Sequence, residues 1–271
     1  MSQLVLYANL WTLRGHPSAA REWPLARKVA AIRAAGFTAF SGPPTAALRP
    51  LADRHGLRLL GAFSAARATE IAQGLRAFRA LEAEQVNLQL ADDFTPLPEA
   101  VRLAVGAFAV AEKLKLPLSI ELHRDTCTET PEKLFALADA VSRQLGRLMP
   151  IAWDFSHFAV VKHLAPDNFA AQMLARPDLV QSASLFHLRP FNGHHIQVPV
   201  TWQRRLTPET RAWLPFAREV MRVWRAAPIN AGREMFVCPE LGPRDGYGLS
   251  FFPPVWPDAV RLRRELATLW P

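Results

Sequence analysis

Eight short β-rich runs, separated by stretches of helical periodicity, constrain the fold of this 271-residue chain more than any other feature of its sequence. The runs cover residues 4–10, 37–40, 57–63, 86–90, 118–123, 151–155, 183–188 and 235–240. Helical patterns lie between and after them, at residues 24–35, 69–84, 98–115, 131–145, 167–175, 208–225 and 257–269. Strands that alternate with helices form parallel sheets, because the helix returns the chain to the same edge. We therefore expect an α/β protein.

Local signals mark the ends of several helices. Gly36 and Gly56 stand between a helical pattern and a strand, where a left-handed residue is expected. Thr130 and Thr207 each precede a proline and a glutamate, which together are typical of a helix start. Eight β/α units in a chain of this length favour one (β/α)₈ TIM barrel, a single domain over residues 1–271, although periodicity alone also permits a doubly wound sheet.

The composition argues against several classes of protein. We expect no secretion signal and no membrane partner, since the chain passes from Met-Ser-Gln directly into a short apolar run and no apolar run reaches membrane-spanning length. Cys127 and Cys238 are too few for a disulfide framework or a zinc cluster, which predicts reduced thiols in a cytoplasmic protein. The net charge of +8 raises the question of nucleic acid, but the arginines are scattered, which favours a solvated surface.

The last four β-rich runs carry a carboxylate or an imidazole at or near their carboxyl ends: Glu121, Asp154, His187 and Glu240. Barrels of this type carry their active sites at that face. Because a buried charge is costly unless it is paired, four such groups on successive strands are expected to converge on one divalent cation. Three carboxylates and one imidazole suit Mn²⁺, with Mg²⁺, Co²⁺ or Zn²⁺ as alternatives. The competing interpretation is that each group forms a buried ion pair or caps a strand end.

Taken in order, these motifs resemble the xylose isomerase-like barrel family, which includes sugar-phosphate isomerases, ketose 3-epimerases, inosose dehydratases and endonuclease IV-type DNA repair enzymes. The resemblance is strongest from residue 121 to residue 247. It is carried by four elements: Glu121 within Glu-x-His-Arg, Asp154 with His157 three residues later, His187 with Arg189, and Glu240 within Pro-Glu-Leu-Gly-Pro. Each motif is short, and it is their order and strand placement that make the set specific.

The resemblance implies a metal-dependent isomerase or epimerase that acts on a small-molecule sugar or sugar phosphate. Such an enzyme removes a proton beside a metal-chelated carbonyl. The resemblance assigns Glu121 and Glu240 the roles of the two bases, in addition to their roles as ligands. His157 is expected to contact a substrate hydroxyl. Arg189 is expected to stabilise the developing oxyanion or to pair with a ligand carboxylate.

Other residues near these motifs have less specific expected roles. His123 and Arg124 are expected to contact a phosphate or carboxylate on the substrate, or to have a structural role only. The long connection at residues 189–206 contains His194, His195 and Gln197, and we expect it to form a mobile wall over the pocket.

Three other functions remain open at this point. One is a barrel that has lost catalysis and only binds a ligand, although the presence of all four ligand types argues against it. A lyase or dehydratase acting on a keto-inositol or a 3-keto-glycoside begins with the same proton abstraction, and the residues do not separate it from an epimerase. An endonuclease IV-like nuclease ranks lower, because such enzymes place additional histidines on earlier strands and the third and fourth runs end without one. The sequence does not determine whether the chain forms a homo-oligomer.

Overall fold

Eight parallel strands close into a barrel in this structure, a computed structural model that describes residues 2–243 and 254–270. The barrel strands are β1 (Gln3–Asn9), β2 (Ala39–Gly42), β3 (Arg58–Ala65), β4 (Val86–Leu90), β5 (Leu118–Glu121), β6 (Ile151–Asp154), β7 (Leu185–His187) and β10 (Glu234–Cys238). Each strand pairs with the barrel strand that follows it in sequence, and β10 pairs with β1 to complete the circle. The predicted (β/α)₈ barrel is confirmed, and the doubly wound sheet is excluded.

Helices follow the strands and pack on them through a continuous apolar layer. They are α1 (Leu25–Ala34), α2 (Leu48–His55), α3 (Ala68–Ala80), α4 (Leu97–Lys113), α5 (Pro131–Leu145), α6 (Phe155–Val161), α7 (Phe169–Met173), α8 (Pro177–Ser182), α9 (Pro208–Ala226) and α10 (Val255–Leu269). The hydroxyls of Thr130 and Thr207 cap α5 and α9, and Gly56 ends α2 with a φ of +58°, as predicted. Within the described parts of the chain, none of these helices has the length and apolar character of a membrane span.

The structure gives bounds to one predicted element and corrects two others. The helical pattern that precedes Gly56 was predicted without bounds, and it forms α2, where Pro50 lies in the first turn and so removes no helical hydrogen bond. The single helix predicted at residues 167–175 is shortened to α7, since Pro166 and Pro177 begin separate turns on either side of it. The strand predicted to continue through Phe155 stops one residue earlier, where α6 begins.

Side chains fill the middle of the barrel and its amino-terminal end, so the functional site must lie at the opposite end. A buried cluster of strand residues occupies the interior: Val5, Tyr7, Ala39, Leu60, Ala152, Leu185, Phe236 and Cys238. At the amino-terminal ends of the strands, Arg58 donates hydrogen bonds to Glu84 and Glu234, and its guanidinium lies 4.7 Å from the centre of the Phe236 ring.

The long connection between β7 and α9 is anchored at two points. It contains a short antiparallel hairpin, β8 (Thr201–Trp202) and β9 (Arg205–Leu206), which was not predicted. The Asp258 carboxylate on α10 accepts hydrogen bonds from the Val200 and Thr201 amides, at 2.8 and 3.3 Å. Gln197 and Gly242 exchange two hydrogen bonds, of 2.6 and 3.1 Å, which tie the connection to the segment that follows β10.

Candidate active site

The carboxyl ends of four adjacent strands bring Glu121, Asp154, His187 and Glu240 together. One ligand atom from each residue lies within 4.8 Å of the corresponding atom in each of the others. The first three are the last residues of β5, β6 and β7, and Glu240 lies two residues beyond β10. All four are buried, none more than 6% exposed. The sequence could predict this grouping because parallel strands end at the same face of a barrel.

His187 lies at the centre of the group. Its Nδ1 atom is 2.9 Å from Glu121 Oε1 and 3.1 Å from Glu240 Oε2, and its Nε2 atom is 3.0 Å from the Tyr7 hydroxyl. Burial by itself lowers the pKa of His187, but the carboxylates of Glu240 and Glu121 raise that pKa well above its ordinary value. Burial likewise raises the pKa of Glu121, and the charge on His187 outweighs it, lowering the pKa to about 2. With no other cation bound, these opposite shifts in pKa favour an imidazolium at His187 beside the Glu121 carboxylate.

Two buried asparagines hold the outer oxygens of the glutamates. Asn9 Nδ2 donates a 2.7 Å hydrogen bond to Glu240 Oε1, and Asn87 Nδ2 donates a 2.8 Å hydrogen bond to Glu121 Oε2. Each carboxylate is thus fixed by an amide on one oxygen and turns its other oxygen toward His187. These asparagines and Tyr7 were not among the site residues predicted from the sequence. Their signal is a polar group within an otherwise apolar strand.

Asp154 is held differently, by groups from its own helix start and from Arg189. Its Oδ1 atom accepts hydrogen bonds from the Ser156 amide and hydroxyl, at 3.1 and 2.5 Å. Its Oδ2 atom accepts a hydrogen bond from Arg189 Nη2 and lies 3.4 Å from His157 Nε2. Burial raises the pKa of Asp154, but Arg189 and His157 outweigh it and lower the pKa well below the ordinary value. Arg189 thus forms the ion pair with a ligand carboxylate that the sequence analysis considered.

The donor set of this group fits a divalent cation. Glu121 Oε1 and His187 Nδ1 are buried and have no well-directed hydrogen bond within residues 2–243 and 254–270, although they lie only 2.9 Å apart. Once deprotonated at Nδ1, His187 would offer that nitrogen, and Glu121 its Oε1 atom, to a shared cation. Three carboxylates, one arginine, one neutral imidazole and one divalent ion also carry no net charge together. In the described chain, no other group of three or more acidic, histidine or cysteine side chains is arranged to hold a metal.

Two adjacent cavities open beside the group, and we call them the inner and the outer cavity. The inner cavity has a volume of about 360 Å³ and is lined by both glutamates, both asparagines, Trp11, Phe63, Gln89, His123 and Arg124, among others. The outer cavity has a volume of about 300 Å³ and is lined by Arg124, Glu129, His157, Val160, Val161, His194, His195, Ile196 and Gln197. Because Arg124 lines both, the two cavities adjoin around its side chain.

The residues predicted to contact substrate occupy different places around these cavities. His123 and Arg124 line the inner cavity, while His157 lines the outer one, with its ring centroid 4.4 Å from that of His123. Arg189 is only 1% exposed and lies against Asp154 and Ser156. His194 and His195 form the predicted wall, and its mobility stays a prediction.

The fold and the site define a class: a (β/α)₈ barrel with an acid and imidazole group, suited to a divalent cation, at the carboxyl ends of its strands. No protein-family model matches the sequence, and no curated protein matches it. Solved structures do match. An L-ribulose 3-epimerase is 11% identical, with a TM-score of 0.67 over 100% of this chain and 95% of its own. The probable 3-DHS dehydratase AsbF from Bacillus anthracis is 12% identical, with a TM-score of 0.63 over 99% and 98%.

A third match is a xylose isomerase-like TIM barrel protein from Mycobacterium smegmatis, in complex with magnesium. It is 12% identical and has a TM-score of 0.59 over 100% of this chain and 98% of its own. The protein described here therefore has the xylose isomerase-like TIM barrel fold, in agreement with the resemblance seen in its motifs. The predicted end of that resemblance, at Tyr247, lies outside the described residues.

Proposed function

We propose that this protein is a divalent-metal-dependent isomerase or epimerase that acts on a sugar or a sugar phosphate. The observation that carries the proposal is the placement of Glu121 and Glu240. Both line the inner cavity, and both flank His187, at 2.9 and 3.1 Å from its Nδ1 atom. Two carboxylates fixed beside one cavity could act as a pair, one removing a proton from a substrate carbon atom and the other returning a proton to the substrate.

Glu121, Asp154, His187 and Glu240 would hold the cation. Bound there, it would act as a Lewis acid on a substrate carbonyl, and Mn²⁺ is the ion we favour for this donor set. Glu121 and Glu240 would move the proton. Asn87 and Asn9 each fix one carboxylate oxygen through a hydrogen bond, so that the other oxygen needs little reorientation.

The remaining site residues would bind and orient the substrate. His123 and Arg124 are placed to contact polar groups in the inner cavity, and His157 is placed to contact a group at the boundary with the outer one. Arg189 would stabilise the negative charge that develops near Glu240, since its Nη1 atom is 3.9 Å from Glu240 Oε2. The neutral form of His157 is favoured, because burial lowers its pKa in spite of the neighbouring Asp154, which makes it a hydrogen-bonding group at neutral pH.

Solvent deuterium uptake tests the proposal directly. The protein, loaded with Mn²⁺, is incubated in D₂O with ketoses, keto-inositols and 3-keto-glycosides, and the products are analysed by NMR and mass spectrometry. We expect one deuterium beside the carbonyl and a product that is otherwise of unchanged mass. A product lighter by water or by an aglycone would identify the dehydratase or lyase instead. Absence of uptake with every compound, in a protein shown to contain metal, would contradict both.

The structure offers no support for the nuclease alternative. A multi-metal nuclease needs several groups of metal ligands, and the described residues form one. We expect no nicking of an abasic DNA duplex in the presence of Mn²⁺ or Zn²⁺. Two further proposals follow the sequence analysis: a cytoplasmic location, which the buried free thiols of Cys127 and Cys238 support, and assembly into a homo-oligomer, for which sedimentation velocity is the measurement.

A further inference from the structure

Apart from His157 at its boundary, the outer cavity has no function in the proposed reaction, although it adjoins the site. Its lining includes three aliphatic side chains, Val160, Val161 and Ile196, and three imidazoles, those of His157, His194 and His195. Val161 is 44% exposed, although it is a large aliphatic residue next to a cavity. Aliphatic side chains combined with a few polar groups are typical of sites that bind a ring through its apolar face.

The charges around the outer cavity are balanced by their neighbours. Arg124 Nε lies 3.3 Å from Asp125 Oδ2, and the Glu129 carboxylate accepts a 2.6 Å hydrogen bond from Lys133 Nζ. An anionic occupant would gain most from cationic groups that have no acidic partner, because charge-assisted hydrogen bonds are the strong ones. Since Arg124 and Glu129 each have an opposite charge beside them, these ion pairs favour an uncharged occupant.

Hydrogen bonds hold the segment at residues 192–197, which forms one wall of the outer cavity. The amides of His194 and His195 both donate hydrogen bonds to Asn192 Oδ1, at 2.9 and 2.8 Å, which fixes the turn that carries the two imidazoles. Gln197, which is 4% exposed, ties the end of this segment to Gly242. These hydrogen bonds fix the backbone of the turn from which the two imidazoles project beside the cavity.

We propose that the outer cavity is a subsite for a second, uncharged ring, a sugar or an aromatic aglycone, joined to the sugar that occupies the inner cavity. The inference rests on the proposed function and extends it, because it names a glycoside rather than a free monosaccharide as the substrate. Arg124, which lines both cavities, would lie beside the linkage. The imidazoles would contact the ring face or its hydroxyls, and the valines and Ile196 would contact its C–H surface.

Binding of unreactive glycosides tests the subsite without relying on turnover. Isothermal titration calorimetry compares methyl β-D-glucoside, phenyl β-D-glucoside, cellobiose and glucose 6-phosphate with the metal-loaded protein. We expect phenyl glucoside or cellobiose to bind at least ten times more tightly than methyl glucoside, and the better of the two identifies the ring. Equal affinities, or tightest binding of the phosphate, would overturn the proposal.

Variants locate the effect in the outer cavity. Val161→Trp fills the cavity, and Ile196→Trp fills it from the opposite segment in case the first variant folds poorly. We expect each to lower the ratio of ring-bearing to methyl glycoside affinity at least fivefold. Lys162→Trp adds the same bulk at the next position, which does not line the cavity, and should keep the ratio of the wild type. The proposal fails if the filled variants keep that ratio as well.

Deuterium uptake separates this proposal from the proposed function. Uptake with 3-keto-glucosides should follow the same order as binding, with the phenyl or glucosyl compound faster in kcat/KM than the methyl compound. Selective ring binding with no uptake in any compound would retain the subsite and reject the isomerase. Uptake that is equal for free ketoses and ring-bearing compounds would retain the isomerase and reject the subsite.

Discussion

Tyr7 should control how tightly the site binds a divalent ion, although it is not a ligand. Its hydroxyl is 3.0 Å from His187 Nε2, and this contact decides which imidazole nitrogen carries the proton. If Nε2–H donates to Tyr7, the lone pair of Nδ1 is left facing Glu121 and Glu240, as a metal ligand requires. Burial, reinforced by the nearby anionic groups, raises the pKa of the Tyr7 phenol well above its ordinary value, so the hydroxyl stays protonated at neutral pH.

The substitution Tyr7→Phe removes this one hydroxyl and keeps the ring, which is 2% exposed within the barrel interior. The loss of a hydrogen bond between an outer partner and a ligand histidine weakens metal binding by about 10- to 100-fold. That range corresponds to about 1.4–2.8 kcal/mol of binding free energy. It agrees with the cost of about 1–3 kcal/mol for leaving a buried donor such as Nε2–H without a partner.

Isothermal titration of Mn²⁺ into the metal-free protein measures the effect, with competition by a chelator if binding is tight. Thr12→Val is the matched control, because the Thr12 hydroxyl is also buried on the first β/α unit and has no hydrogen-bond partner within the described residues. We expect the control to bind Mn²⁺ as the wild type does. The reasoning is wrong if Tyr7→Phe, shown to be folded by circular dichroism, binds Mn²⁺ within twofold of the wild type.

Three further predictions follow from the same contacts. Glu240→Gln should slow solvent exchange of the substrate C–H by at least about 10²-fold, as loss of a general base does. Glu234→Gln, at the amino-terminal end of β10 and away from the site, should leave the exchange rate unchanged. Exchange at the wild-type rate in Glu240→Gln would reject Glu240 as a base. Arg189→Met leaves Asp154 as an unpaired buried charge, which should lower the free energy of unfolding of the metal-free protein by about 3–5 kcal/mol. Saturating Mn²⁺ should recover part of that loss in denaturant titrations, and no recovery would argue against Asp154 as a ligand. Asp258→Ala should lower the free energy of unfolding by about 1–3 kcal/mol, because it leaves the Val200 and Thr201 amides without their acceptor. It should also make residues 189–206 more susceptible to limited proteolysis, and unchanged cleavage would contradict the anchoring role of Asp258.

The four candidate ligands could be predicted from sequence, while the groups that hold them could not. Each ligand stands at or just beyond the end of an apolar run, and the carboxyl ends of parallel strands meet at one face whatever the details of packing. Asn9 and Glu240, by contrast, are 231 positions apart and meet only because β1 pairs with β10 when the barrel closes. Asn87 reaches Glu121 through the pairing of β4 with β5. Such contacts depend on register, which an alternating pattern alone does not specify.

The start of α6 shows a second limit of the sequence analysis. Asp154 was assigned to the end of a strand, which is correct, but its Oδ1 atom also caps the helix that begins at the next residue. One side chain thus serves as a strand end, a helix cap and a candidate ligand. The helix places His157 beside Asp154 and Arg189, contacts that the sequence motif did not predict. A local pattern cannot show this, because a strand can pass into a helix without an intervening loop.

The buried Arg189 raises the question of whether an arginine takes the place of a metal ion in this site. Its Nη2 atom contacts Asp154 Oδ2, but its Nη1 atom is 3.9 Å from Glu240 Oε2, and Glu121 Oε1 remains without a directed hydrogen bond in the described chain. With Arg189 and a protonated His187 alone, the three carboxylates still leave one net negative charge in a buried group, which is unfavourable. A divalent cation with a neutral His187 removes it. In the proposed metal-bound form, Arg189 and the cation would therefore neutralise different parts of the same group.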